Sequence, residues 1–207
     1  MADRASAAEL IRATKGDLYD ANFDTSLIAA RNEAKDLCFD YNYGIRPSET
    51  NKQQALLKAL LGKVGAGVTV VAPFWCDYGS NIQLGENTFL NHNTVMLDGA
   101  PITLGKRVFV APDCCVSTAA HPLDANRRGQ GLEYALSITI CDDVWIGAGV
   151  MILPGVTIGR GSVIGAGSVV NKDIPAGVVA VGCPCRVIRT ITNKDAEMGQ
   201  LWKGSSR

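Results

Sequence analysis

Ile140-Cys-Asp-Asp-Val-Trp, Ile146-Gly-Ala-Gly-Val-Met, Ile152-Leu-Pro-Gly-Val-Thr, Ile158-Gly-Arg-Gly-Ser-Val, Ile164-Gly-Ala-Gly-Ser-Val, Val170-Asn-Lys-Asp: read in sixes, this stretch decides the fold. An aliphatic residue returns at 140, 146, 152, 158, 164 and 170, and a small or β-branched one four places later, at Val144, Val150, Val156, Ser162 and Ser168. Neither the 3.6-residue period of a helix nor the two-residue period of a strand produces this spacing. A fixed hexapeptide repeat specifies a parallel β-helix, in which three short strands make one triangular coil and stacked coils bury a continuous aliphatic column. Gly, Asn and Asp supply corners, where positive φ is often required.

Working backwards, the pattern begins loosely at Val64, Val70 and Cys76, resets to Leu84, Leu90 and Met96, and resets again to Leu104, Val110 and Val116. Each reset needs two extra residues, so widened corners are expected near 78–82 and 98–102. Residues 119–137 break the pattern altogether and read as a loop extruded from the solenoid. A long loop with no structure of its own inside a regular fold is usually functional. After Pro175 the rungs fade through Val179, Val181 and Val187 into a polar tail, Asn193 to Arg207.

Residues 5–62 lack the repeat and read as helices: a short one over Ala5–Thr14, a second over Leu27–Tyr43 with one apolar face, and a third capped by Ser48, carrying Leu56, Leu57, Leu60 and Leu61 and ending at Gly62. The expected organisation is therefore mainly β: an N-terminal helical segment (1–62), a β-helix (63–191) with the loop 119–137, and a tail (192–207).

Composition excludes several functions. The 207 residues carry no net charge and only 6% aromatics, and no basic block suggests nucleic acid or an acidic membrane. No apolar run approaches the ~20 residues that span a bilayer. The start lacks a signal-peptide core, which points to the cytoplasm. Seven cysteines, an odd number scattered along the chain, read as reduced thiols used as small core residues. Cys183-Pro-Cys185 is too tight for a zinc site and has no second pair nearby, so no metal is expected.

With two histidines in the chain, the search for a general base is short. His121 opens the extruded loop, where a neutral imidazole can take a proton from a hydroxyl near neutral pH; the ordinary reading is a surface loop residue. His92, between polar neighbours, reads as a corner or interface residue. Asn91 and Asp98 flank Met96 on neighbouring corners about one coil from the loop, and an amide and a carboxylate suit a polyhydroxylated ligand, although both are also ordinary turn formers. Asp20 is a loop carboxylate that could simply cap the next segment. Lys172, Arg186, Arg189 and Lys194 gather after the last regular rungs and could hold phosphates. Gly159-Arg-Gly161 and Gly165-Ala-Gly167 belong to the repeat and lack the βαβ context of a dinucleotide loop.

Taken together, Cys76-Asp-Tyr-Gly-Ser-Asn-Ile, Asn91-x-Asn93, Leu97-Asp98, Thr118-x-x-His121-Pro, Val144-Trp-Ile-Gly, Pro154-Gly-Val-Thr-Ile-Gly and Lys172-Asp-Ile-Pro resemble the hexapeptide-repeat O-acetyltransferases of the maltose, galactoside and nodulation-sugar group, over about residues 5 to 191. The resemblance implies a left-handed β-helix, a homotrimer with active sites between subunits, and transfer of acetyl from acetyl-CoA to a sugar hydroxyl. It places the catalytic histidine on His121, acceptor-binding positions on Asp20, Asp77, Asn91 and Asp98, and the cofactor-side tryptophan on Trp145. CoA contacts fall on Ala148, Ala166, Asn171, Lys172, Arg186 and Arg189. Relatives often carry acids at both positions matching Asp98 and Gly99; this chain has only Asp98.

Three other readings compete. A zinc carbonic anhydrase on the same solenoid needs three histidine ligands where the chain has two histidines in all. A non-catalytic scaffold would leave the His-Pro loop and the basic end without a purpose. An acetyltransferase acting on an antibiotic or secondary-metabolite hydroxyl would share every motif.

Overall fold

A computed structural model describes residues 15–197. The helix expected over Ala5–Thr14 and the tail beyond 197 lie outside the described residues. The body is a β-helix with three parallel faces. The first face stacks Lys63–Val64, Ile82–Leu84, Ile102–Leu104, Ile138–Ile140 and Thr157–Ile158. The second stacks Thr69–Val70, Phe89–Leu90, Phe109–Val110, Trp145–Ile146 and Val163–Ile164, then Val178–Val181. The third stacks Phe74–Cys76, Thr94–Leu97, Cys115–Ser117, Met151–Ile152 and Val169–Val170.

The strand register repeats the sequence period. Ile140 pairs with Ile158, Ile146 with Ile164 and Ile152 with Val170, each a step of 18 residues, three hexapeptides. Lower down, Leu84 pairs with Leu104, Leu90 with Val110 and Met96 with Val116, each a step of 20. The two extra residues sit where expected, at the corner between the third and first faces. All the periodic aliphatic residues from Leu84 to Val170 are buried in one cluster, so each coil adds its apolar residues to a shared core. Positive φ falls on corners at Asn87, Asn93, Asp113, Asp143 and Gly149 among others.

The ends differ from expectation. The second helix runs Thr25–Phe39, capped by Asp24, whose side chain accepts from the N–H groups of Ser26 and Leu27; it gives way to a π-helical turn over Asp40–Gly44 instead of continuing to Tyr43 as α-helix. The third helix, Thr50–Leu60, starts two residues past Ser48. Glu49 precedes it without a side-chain cap, because its carboxylate accepts from the N–H of Arg46. Cys38, Tyr41, Leu57 and Leu60 plug the first coil and join the main core. At the far end, Val178–Val181 pairs antiparallel with Arg186–Thr190, so the solenoid closes with a hairpin followed by a short 3₁₀ turn, Asn193–Glu197.

The extruded loop has structure of its own, contrary to expectation. Strand β1 (Tyr19–Asp20), β2 (Ala119–Ala120) and β3 (Leu132–Ala135) form an antiparallel sheet with β3 in the centre, and a short helix, Ala125–Gly129, spans the tip. Its backbone N–H and C=O groups need partners, and the N-terminal segment pairs with two of the four residues of β3.

Candidate active site

The widened corner between the third and first faces is the floor of the site. Asp98 is fully buried there. One oxygen accepts from the N–H of Asp77 at 3.1 Å and of Tyr78 at 2.8 Å; the other accepts from the N–H of Asn81 at 3.3 Å. The side-chain amide of Asn81 donates to the Asp98 carbonyl at 2.7 Å. Burial raises the Asp98 carboxyl to about 6, against the stabilising pull of those N–H groups. Those backbone contacts make Asp98 the brace of the turn that presents Asp77.

Above this floor, Tyr19, Asn22, Arg31, Lys35, Asp77, Tyr78 and Glu133 line a pocket of about 350 Å³. Burial raises the Asp77 carboxyl despite the nearby Arg31 and Lys35 cations. Among the described residues no hydrogen bond or ion pair claims that carboxylate, which leaves it open to a donor entering the pocket. Arg31 donates to the Tyr78 hydroxyl at 2.8 Å, which fixes the guanidinium at the wall.

His121 leaves the solenoid just after β2. Its Nδ1 lies 3.1 Å from the carbonyl oxygen of Leu132. A carbonyl only accepts, so Nδ1 carries the hydrogen and Nε2 of the neutral ring is the basic nitrogen. Nε2 lies 3.6 Å from Oε1 of Glu133, within ion-pair range but too long for a hydrogen bond. The ring is about half exposed, its side chain being 47% accessible. Asp20 pairs with Leu132 across the sheet, and its carboxylate accepts from the N–H of Phe23 at 2.9 Å, closing the turn before the Asp24-capped helix. Asp20 thus lies beside the strand that holds His121.

The remaining residues named from sequence separate into groups. Asn91 stands at the other corner, between the second and third faces, with its side-chain oxygen accepting from the N–H of His92 at 2.8 Å; it is not in the pocket lining. His92 is at that corner too, its Nδ1 2.6 Å from the Ala72 carbonyl. Ala148 and Ala166 stack at the same corner, where Gly167 N–H donates to the Ala148 carbonyl at 2.8 Å. Gly147 has no room for a side chain there, since a Cβ would lie 2.6 Å from the Ala166 nitrogen. The Asn171 side chain accepts from Arg186 at 3.2 Å, and Lys172 is exposed beside it. Trp145 and Arg189, with Val163, Val179, Ile191 and Asp195, line a second, mainly apolar pocket of about 390 Å³. Arg189 is held there by a two-pronged ion pair to Asp195, at 2.9 and 2.7 Å.

Sequence reasoning missed Glu133, Arg31 and Tyr19. Their only sequence signal was position: Glu133 lies in the patternless loop, and Tyr19 precedes Asp20. Among the described residues no helix is long and apolar enough to cross a membrane, and no group of three or more His, Cys, Asp or Glu side chains is placed to hold a metal ion.

Residues 12–65 match the maltose acetyltransferase hexapeptide capping motif, and residues 137–172 match the bacterial transferase hexapeptide of six repeats. A Saccharomyces cerevisiae protein provisionally named acetyltransferase YJL218W is 52% identical over 87% of this chain and 92% of its own length. Among solved structures, a maltose O-acetyltransferase from Clostridium difficile 630 superposes with TM-score 0.86 and 45% identity, covering 89% of this chain and 98% of that one. A galactoside acetyltransferase in complex with coenzyme A gives TM-score 0.87 and 41% identity, covering 91% and 93%. The Vibrio cholerae O1 biovar eltor acetyltransferase VCA0836, complexed with acetyl coenzyme A, gives 0.82 and 39%, covering 89% and 99%.

Proposed function

Because this chain belongs to the hexapeptide-repeat acetyltransferases, we propose that it moves the acetyl group of acetyl-CoA to a hydroxyl of a sugar, with His121 as general base. The observation that carries the reading is the imidazole: one nitrogen is tied to the Leu132 carbonyl, and the other faces Glu133 at the rim of a polar pocket.

The acceptor hydroxyl gives its proton to Nε2 of His121 as its oxygen bonds to the thioester carbonyl carbon. The tetrahedral oxyanion is received by a backbone N–H near the Ala148–Ala166 corner. Its collapse breaks the C–S bond, and the departing thiolate takes the proton back from the imidazolium, giving the acetyl ester and free CoA thiol. Glu133 faces the positive charge while it lasts. Asp77 and Arg31 offer an acceptor and a donor to neighbouring hydroxyls, which suits a polyhydroxylated ring. Asp20 and Asp98 support this wall from behind. CoA runs along Ala148 and Ala166 with Trp145 at its side; its phosphates meet Lys172, Arg186 and Arg189, and Asn171 orients Arg186.

The active assembly is a homotrimer. Outward residues on the first face are Lys63, Gln83, Thr103, Thr139 and Thr157, a polar row. Past Thr69 at its first coil, the second face presents Phe89, Phe109, Trp145 and Val163, and the third presents Trp75, Val95, Cys115, Met151 and Val169. Two apolar faces and one polar face are what three prisms packed about an axis require, each covering its neighbour. That packing also brings Asn91, stranded at the second corner of its own chain, to a neighbour's loop.

The test is a panel of acceptors with acetyl-CoA, comprising maltose, glucose, β-galactosides and non-sugar alcohols, read by CoA release. Turnover on sugars carries the proposal. Turnover confined to non-sugar alcohols reassigns the acceptor, and no acetyl-CoA-dependent turnover or binding overturns the reading.

A further inference from the structure

Tyr19 is 3% exposed, yet its hydroxyl reaches the site. It donates to Oε2 of Glu133 at 3.2 Å. The contact is set by backbone register, since Tyr19 and Glu133 are direct partners in the antiparallel pairing of β1 with β3. Burial and the adjacent Glu133 carboxylate raise the phenol well above its ordinary range, so it stays protonated and remains a donor.

Room for this hydroxyl comes from Gly99. A Cβ at position 99 would stand 2.9 Å from the Tyr19 oxygen and 3.4 Å from the Ala135 Cβ. Ala100 and Ala135 are fully buried, so neither wall can easily give way. The second carboxylate oxygen of Glu133 is the one that faces His121 Nε2 at 3.6 Å. A carboxylate tied at one oxygen presents the other in a defined direction; an untied one is free to rotate about its last bond.

We infer that Tyr19, seated by Gly99, is a positioning residue for the acyl transfer: it holds the Glu133 carboxylate facing the His121 imidazole. The role rests on His121 being the base, and Tyr19 acts only through Glu133.

The test uses the full chain with acetyl-CoA and the panel's fastest acceptor. Tyr19→Phe keeps the ring and removes the hydroxyl. It is expected to lower kcat about tenfold, the loss of one hydrogen bond to a charged group, while KM for acetyl-CoA stays the same. Glu133→Gln loses at least as much, and the double variant is no slower than Glu133→Gln alone. Gly99→Ala lowers kcat in the wild-type background and has no further effect in Tyr19→Phe. A crystal structure of Tyr19→Phe, which needs no acceptor, shows the Glu133 carboxylate turned from His121 with the β1–β3 pairing intact. An unchanged carboxylate, a wild-type kcat in Tyr19→Phe, or losses that multiply in the double variant would each overturn the role. If His121→Ala is inactive while Tyr19→Phe is normal, only this role falls; if His121→Ala is active, the base assignment falls first and this role with it.

Discussion

Oε1 of Glu133 stands 3.6 Å from Nε2 of His121, while Nδ1 of the same ring is tied to the Leu132 carbonyl at 3.1 Å. Residues 132 and 133 are neighbours on one strand, so a single short element fixes the tautomer through its backbone and meets the imidazolium through its side chain. On the proposed role, the arrangement sets the basic nitrogen before any acceptor arrives.

Under the proposed mechanism, replacing His121 by Ala removes the proton acceptor. General-base catalysis contributes ~10²–10⁴-fold, and kcat is expected to fall by that amount. Because the ring is half exposed and far from the aliphatic column, the melting temperature should hardly move. Steady-state turnover beside a thermal melt measures both, and near-normal kcat in a folded variant would remove His121 from the reaction.

Glu133→Gln keeps the shape and discards the charge. The imidazolium loses its facing anion, and a kcat loss of about 10–100-fold follows from interactions with charged groups worth ~1.5–3 kcal/mol. KM for acetyl-CoA should be unaltered. A change in that KM with kcat intact would place Glu133 on the cofactor side instead.

Asp98 makes stability depend on pH in an unusual direction. Its carboxyl sits at about 6 in the fold against ~3.9 in an unfolded chain, so between those values the native state binds the extra proton. The stabilisation is complete below about pH 4 and is lost as pH rises through about 6, amounting to roughly 3 kcal/mol. Asp98→Asn lacks this titration. Its deficit relative to wild type should therefore be largest below about pH 4 and narrow by pH 7.5 in urea unfolding. A deficit that stays constant, or widens with pH, contradicts the assignment.

Phe109 is 53% exposed at the middle of the second face, 6.3 Å from the Phe89 ring. If three copies pack face to face, Phe109→Lys buries a charge without a partner, at a cost of several kcal/mol. Sedimentation should show a folded monomer, and activity should drop with it. A trimer that survives this substitution would move the interface to another face.

The solenoid was legible because its period is arithmetic: six residues turn one corner and eighteen return to the same face, so Ile140, Ile158 and their kin must share one column. The two-residue resets at 78–82 and 98–102 were legible for the same reason, as departures from a count. What they accomplish, the burial of Asp98 beneath Asp77, was not, since Asp is equally common in an exposed turn. Tyr19 and Glu133 escaped notice because they meet through the antiparallel pairing of a two-residue strand with a four-residue one across 114 positions, and Arg31 because it reaches the same pocket from a helix. Strands that short carry no periodic signature. His121 stood out through its loop alone; its orientation comes from Leu132, whose side chain says nothing about its carbonyl.

The helical segment at the start of the chain covers the open first coil, as a stopper covers a bottle. Through Tyr19 and Asp20 it also contributes an edge strand to the sheet that aims the imidazole. Stopper and gunsight are one piece of chain, so mutations that loosen the stopper should blunt turnover well before the molecule melts. Grafting another cap onto this solenoid would then yield a stable but idle protein unless the graft brought its own counterpart of β1.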